Sequence, residues 1–256
     1  MARDRRDTYY WRAKEEGYRS RAAFKLLQIN EKFNVIKAGD TVVDLGAAPG
    51  GWSEVAKKLS GGRVIGVDLQ RISAIEGVET IKGDITSDVT IKKIFDLVGE
   101  SGVDVVICDA APNLSGNWSY DHARSIDLCR SALGCAKKIL KPGGHFVVKV
   151  FQGDMFKAFL EEASTDFTQT KSFSPVASRS QSAEIYIVAK KFLKVPVKKG
   201  EELDVEITST GSTGDGVFRI QDFVVFVKDT NEGDKVRVKV KDVKPNFAFA
   251  DVIKRY

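Results

Sequence analysis

Asp44-Leu45-Gly46-Ala47-Ala48-Pro49-Gly50-Gly51-Trp52-Ser53 follows the β-branched run Thr41-Val42-Val43. It leads into apolar positions at helical spacing, Val55, Ala56 and Leu59. A strand, a small-residue loop and a helix, in that order, form the usual seat of a nucleotide-like ligand in a parallel α/β sheet. Glycines let the backbone approach a ligand closely and take φ values that other residues resist. The dinucleotide fingerprint Gly-x-Gly-x-x-Gly fails at its middle, where Ala48 stands, and no Gly-Lys-Ser/Thr ending marks a phosphate loop. The loop has no Lys or Arg to meet a pyrophosphate and carries Asp44 at its entrance. That balance suits a ligand with an ammonium group better than one with phosphates.

Around this stretch the chain alternates. Strands are expected at 41–47, 62–69, 78–85, 103–110, 143–151, 168–173 and 184–191, with helices at 54–59, 91–98, 121–140 and 155–163. Alternation of this kind means a mostly parallel α/β sheet, Rossmann-like, with helices on both faces. Lys141-Pro142-Gly143-Gly144 reads as a helix stop before a strand. Upstream, 19–33 has helical periodicity through Ala23, Leu26, Leu27 and Phe33. Lys25 lies off that stripe, which by periodicity alone turns it away from the core.

Residues 1–25 hold eight Lys/Arg against four acids, interleaved with Tyr9, Tyr10, Trp11, Tyr18 and Phe24. Cations for phosphates and aromatics for bases are what single-stranded RNA requires, although an arm whose aromatics dock on the body would look the same. After Phe192 the grammar changes to short strands broken by Gly211, Gly214, Gly216, Gly233 and Pro245, which predicts a small OB-like β-barrel. The expected domains are therefore 1–192 and 193–256. In Lys235-Val-Arg-Val-Lys-Val-Lys241, alternation puts Lys235, Arg237, Lys239 and Lys241 on one face, a candidate RNA footprint. The segment 193–256 is close to neutral, with 12 bases and 11 acids, so any footprint there is local.

Composition narrows the class. Of 256 residues, 43% are hydrophobic and 29% charged, which is ordinary for a globular protein, and the formal charge of +5 permits a polyanionic partner. Cys108, Cys129 and Cys135 lack zinc spacing and leave an odd count, which suits a reducing cytoplasm. With only His122 and His145 besides, no metal site is expected. A charged N-terminus and the lack of any apolar run of about 20 residues argue against a secretory leader or a membrane partner.

Ligands of open α/β sheets sit outside the carboxyl ends of the strands, where Asp44, Asp68, Asp84 and Asp109 fall. Asp68 stands 22 residues after Gly46, the place for a carboxylate that accepts from ribose hydroxyls. Asp84 could accept from an exocyclic adenine amine, and Asp109 begins the loop Asp109-Ala-Ala-Pro-Asn113. Singly, each is more often a cap or turn residue.

These motifs carry a resemblance. Lys25 in Ser20-Arg-Ala-Ala-Phe-Lys-Leu, the stretch at 44–53, Asp109-Ala-Ala-Pro-Asn, Lys149 in Phe-Val-Val-Lys-Val-Phe-Gln-Gly, and Glu184 before Ile-Tyr-Ile-Val-Ala resemble the FtsJ/RrmJ family over residues ~9–192. The tail, with Gly214-Asp-Gly-Val-Phe, Phe223-Val-Val-Phe-Val and Asn246-Phe-Ala-Phe-Ala, looks like a TRAM domain, a pairing similar to archaeal members. The resemblance implies an S-adenosylmethionine-dependent RNA ribose 2'-O-methyltransferase. It places the cofactor at Gly46, Gly50, Trp52, Asp68, Asp84 and Asp109, and a Lys-Asp-Lys-Glu tetrad at Lys25, Asp109, Lys149 and Glu184. It also points to a uridine of the A loop in 23S ribosomal RNA of the large subunit, with no DNA and no obligate protein partner. tRNA is the competing substrate; a nucleotide-dependent oxidoreductase and a non-catalytic RNA-binding protein are the competing classes.

The tetrad makes chemical sense. A 2'-hydroxyl must lose its proton as it attacks, and a lysine takes that proton only as the neutral amine. Lys149, in a strand of buried neighbours where an unpaired Lys is costly, is the expected base. Lys25 would disfavour its charged form and hold RNA, and Asp109 and Glu184 would orient the two amines.

Overall fold

A computed structural model describes residues 8–99, 102–113, 115–179, 182–193, 195–211, 214–220, 223–244 and 247–256. Arg3, Arg5 and Arg6 of the N-terminal arm lie outside them. The chain divides into two compact units, Met1–Phe192 and Leu193–Tyr256.

The first unit is built on seven strands, β1 (Val42–Leu45), β2 (Val64–Asp68), β3 (Val78–Lys82), β4 (Val103–Cys108), β5 (Leu140–Phe151), β6 (Phe167–Phe173) and β7 (Glu184–Phe192). Their order across the sheet is β3-β2-β1-β4-β5-β7-β6. β1 to β5 run parallel, while β7 is antiparallel to both its neighbours. The β-branched interiors of β1, β2 and β4 are buried on both faces because helices cover both sides. On one face, Ile91 and Ile94 of α4 (Asp88–Val98), Ile126 and Cys129 of α5 (Trp118–Ile139) and Phe159 of α6 (Phe156–Ser164) meet Val43, Val106 and Val148. On the other, Leu26 and Ile29 of α2 (Ala23–Phe33) and Trp52 and Val55 of α3 (Gly51–Ser60) meet Val42, Ile107 and Val147.

Several boundaries differ from the sequence reading; β3 ends at Lys82 rather than at 85, so Asp84 lies in the turn beyond it. β1 is shorter than 41–47 because the chain leaves it at Gly46, whose φ of +72° ends the strand. Helix α2 starts at Ala23 rather than Arg19, after a turn through Ser20 and Arg21. Lys141-Pro142-Gly143-Gly144 belongs to β5 rather than preceding it, with a register shift against β4 between Val103 and Val105.

Helix α1 (Thr8–Glu15) shows how the arm divides its residues. Tyr9 and Tyr18 pack on Phe24 at ring distances of 5.4 and 5.6 Å, and Arg12 lies 4.6 Å over the same ring. Those aromatics dock on the body, whereas Trp11 stays 48% exposed.

The second unit is a curled six-stranded sheet in the order β8-β12-β13-β11-β10-β9, comprising β8 (Glu202–Glu206), β9 (Ser209–Thr210), β10 (Gly216–Ile220), β11 (Phe223–Val227), β12 (Lys235–Val243) and β13 (Phe247–Arg255). Its own core holds Val225, Val227, Val236, Val238, Val240 and Phe218. Gly216 opens β10 rather than breaking a strand, and a Cβ there would collide with Thr230. β12 alternates as expected, but its cations do not form an open basic face. Arg237 pairs with Asp204 at 2.6 Å, Lys239 with Glu202 at 3.5 Å, Lys235 with Glu206 at 3.8 Å and Lys241 with Asp251 at 3.0 Å. Neighbouring strands carry the complementary acids, so the expected footprint is a ladder of surface ion pairs.

Candidate active site

Parallel strands deliver their carboxyl ends to one edge of the sheet. Strand order therefore lays the candidate residues out in sequence: Asp84, Asp68, Gly46 to Gly50, Asp109, Lys149 and Glu184. Glu184 joins this edge because β7 runs antiparallel and begins there, opposite Phe151.

The loop after β1 is shaped for close approach. Gly46 and Gly50 have φ of +72° and +108°, and the Ala48–Pro49 peptide is cis. A Cβ on Gly46 would strike that of Ala110, and one on Gly50 would strike the Ile75 side chain. Asp68 ties the loop to β2: its Oδ2 accepts the Ala48 N–H at 2.9 Å and its Oδ1 the Gln70 N–H at 2.7 Å. Asp84 closes a turn, with Oδ1 accepting the Thr86 N–H at 2.8 Å and hydroxyl at 2.7 Å. Those bonds hold its carboxyl below the usual range.

Two residues of the quoted stretch sit elsewhere than the sequence suggested. Asp44 is 1% exposed beneath the loop, accepting from Ser53 Oγ at 2.6 Å. Burial pushes its carboxyl up to about 7, with Ser53 opposing and Asp109 and Asp68 adding to the rise. So enclosed, it does not face a ligand's cation. The Trp52 indole is also buried; it donates to the Ala22 carbonyl at 2.8 Å and stacks 5.6 Å from the Tyr186 ring. Trp52 thus braces the loop from below rather than offering a ring surface.

At the other end of the edge the four tetrad residues meet. Lys25 Nζ lies 2.7 Å from Glu184 Oε2, and Lys149 Nζ lies 3.9 Å from Glu184 Oε1 and 3.1 Å from Asp109 Oδ1. Lys149 Nζ also donates to the Asp109 backbone carbonyl at 2.6 Å. Lys25 and Lys149 are both buried. Helical periodicity misplaced Lys25: it turns inward because Glu184, 159 residues on, supplies a partner. Burial raises the Glu184 carboxyl, but Lys25 and Lys149 outweigh it and hold the group below its ordinary value.

Tyr186 completes the cluster, and sequence reasoning passed over it. Its hydroxyl donates to Asp109 Oδ1 at 2.6 Å, and burial with the nearby Asp109 raises the phenol well above its normal range. The available signal was its spacing of two from Glu184 on one strand, which puts both on one face.

A seven-stranded, mostly parallel sheet with a glycine loop and paired Lys–carboxylate groups along one edge defines a Rossmann-like α/β transferase domain. Residues 18–192 match the FtsJ-like methyltransferase family and residues 196–253 match the TRAM domain. The chain belongs to the FtsJ-like methyltransferases. It is 70% identical to the ribosomal RNA large subunit methyltransferase E of Methanosarcina mazei, across 100% of this chain and 95% of that one. The protein of the same name from Halobacterium salinarum is 47% identical over 97% of each chain. A crystal structure of a ribosomal RNA methyltransferase from Plasmodium falciparum superposes with a TM-score of 0.63 at 28% identity, covering 69% of this chain and 99% of that one. Among the described residues, no helix is long and apolar enough to cross a membrane.

Proposed function

We propose that this protein transfers a methyl group from S-adenosylmethionine to the ribose 2'-hydroxyl of a uridine in the A loop of 23S ribosomal RNA, in the cytoplasm. The observation that carries the reading is the cluster of Lys25, Glu184, Lys149 and Asp109, two buried ammoniums and two carboxylates beside a glycine loop. The relatives' names supply the substrate class.

The residues present fit the cofactor. Gly46 and Gly50 supply the positive φ values that shape the loop, and each Asp68 oxygen accepts one N–H and keeps a second acceptor site for a ribose hydroxyl. Asp84 and Asp109 flank that position along the edge, and Trp52 supports it from below. S-adenosylmethionine supplies, when bound, a methyl group already activated on a sulfonium.

The rest of the chemistry belongs to the chain. Lys149, as the neutral amine, accepts the 2'-hydroxyl proton. Asp109 holds Lys149 by carbonyl and carboxylate, and Glu184 spaces the two amines. Lys25 holds the RNA ribose or phosphate. Two cations and two anions cancel, so the loss of one proton leaves the cluster singly negative, which suits a cationic donor beside it. The test supplies tritiated S-adenosylmethionine with large ribosomal subunits, free ribosomal RNA and tRNA in parallel, then maps the 2'-O-methyl position. Label at an A-loop uridine is expected; label confined to tRNA would overturn the substrate.

A further inference from the structure

We propose that the cavity at the start of α5 receives an unpaired nucleobase of the RNA next to the methylated ribose, stacked on Trp118. This rests on the reading of the site as an RNA methyltransferase. The cavity, about 230 Å³, is lined by Trp118, Ser119, His122, Gly153, Asp154 and Met155. That is several times the ~30 Å³ share of one water in the liquid, room enough for a planar ring.

Its position assigns it to the acceptor. The cofactor loop and Asp68 occupy the edge at β1 and β2, and Asp109, Lys149 and Glu184 of the tetrad fall at β4, β5 and β7. Phe151 lies two residues beyond Lys149 on β5, and Trp118 stacks 6.0 Å from Phe151 at 26°. A group in the cavity is therefore beside the base, on the side away from the cofactor loop.

Its walls are built for a base. Trp118 stacks on Phe151 and, at 6.5 Å and 16°, on His122, yet remains 52% exposed, and Tyr120, two residues on, is 55% exposed. Arg124 lies 5.6 Å over the Tyr120 ring and donates to the Asn113 carbonyl at 3.0 Å, which sets a cation at the mouth of the Asp109 loop. Asp121 accepts from the Ser115 N–H, the Ser115 hydroxyl and the Gly116 N–H, fixing the turn that presents Trp118. Stacked rings with a neighbouring cation are the means by which proteins hold single-stranded bases.

His122 forms part of the cavity wall. It is 5% exposed, and its Nε2 accepts the Met155 N–H at 3.2 Å. Its Nδ1 is enclosed and has no partner among the described residues. Gly153 is required there, since a Cβ would press into the imidazole.

The experiment uses the full chain with S-adenosylhomocysteine present and an RNA hairpin spanning the mapped methylation site. 2-Aminopurine is placed in turn at each flanking position. One position is expected to be quenched by the wild-type protein, to lose that quenching with Trp118→Ala and to keep it with Trp118→Phe. In turnover, Trp118→Ala should raise KM for RNA about 10-fold, the scale of one lost base stack, with kcat and cofactor affinity unchanged. A wild-type enzyme that methylates RNA while Trp118→Ala keeps its KM and its quenching would overturn the subsite alone. A wild-type enzyme that methylates no RNA would overturn both the subsite and the function.

Discussion

The Tyr186 hydroxyl donates to Asp109 Oδ1 at 2.6 Å, and the same oxygen lies 3.1 Å from Lys149 Nζ. The phenol therefore fixes the carboxylate that fixes the proposed base. Tyr186→Phe removes this bond and keeps the ring stacked on Trp52. A charge-assisted bond is worth about 1.5–3 kcal/mol, so kcat should fall roughly 10- to 100-fold. Cofactor affinity measured by calorimetry should not change. Full turnover in the variant would show that Asp109 needs no such anchor.

Lys25 and Glu184 form the shortest ion pair of the site, at 2.7 Å. Lys25→Met strands a carboxylate whose other cation is 3.9 Å away. Loss of one partner from such a pair costs about 3 kcal/mol, read as a lower urea midpoint. Adding Glu184→Gln should recover more than half of the loss. The folded Glu184 carboxyl lies below its ordinary 4.5, so its contribution is present above that pH and is lost as pH falls through the folded value. Glu184→Gln should flatten this part of the acid limb, and an unchanged limb would contradict the assignment.

Asp44 acts in the opposite sense. Its carboxyl sits at about 7 in the fold against 3.8 in the unfolded chain. The folded state is favoured by protonation, and that advantage is whole below 3.8 and gone above about 7. Ionised Asp44 then costs on the order of 4 kcal/mol. Asp44→Asn keeps an acceptor for Ser53 and should melt higher than wild type at pH 8, with the two converging near pH 4. Equal melting temperatures at both pH values would count against this burial.

The quoted stretch was readable as a ligand loop because its chemistry is local: glycine at positive φ, small residues and a strand before a helix. The alternation of strands and helices was readable for the same reason. Lys25 shows where local reasoning stops, since its inward turn depends on Glu184 across the sheet. Asp44 shows it again: an acid at a loop entrance reads as a ligand contact until α3 places Ser53 over it. Tyr186 sat in an apolar strand and looked like core, which it is; only the register Lys149↔Tyr186 brings it to the site. The β12 cations looked like an RNA face because the partner acids lie on other strands.

Those pairs set an expectation for the second unit. Arg237→Gln or Lys239→Gln should change RNA affinity by no more than about twofold, with the salt dependence unaltered, because each cation already has its counterion in the protein. A drop of about 1 in the slope of log affinity against log salt, measured by filter binding, would mean that the residue contacts a phosphate.

Single-turnover methyl transfer by Lys149→Ala, compared with wild type on the same RNA, tests the central claim most directly. A positioned general base is worth about 100- to 10,000-fold, so the rate should fall by that factor while S-adenosylhomocysteine binds as it does to wild type. Transfer at the wild-type rate with cofactor binding intact would contradict Lys149 as the base.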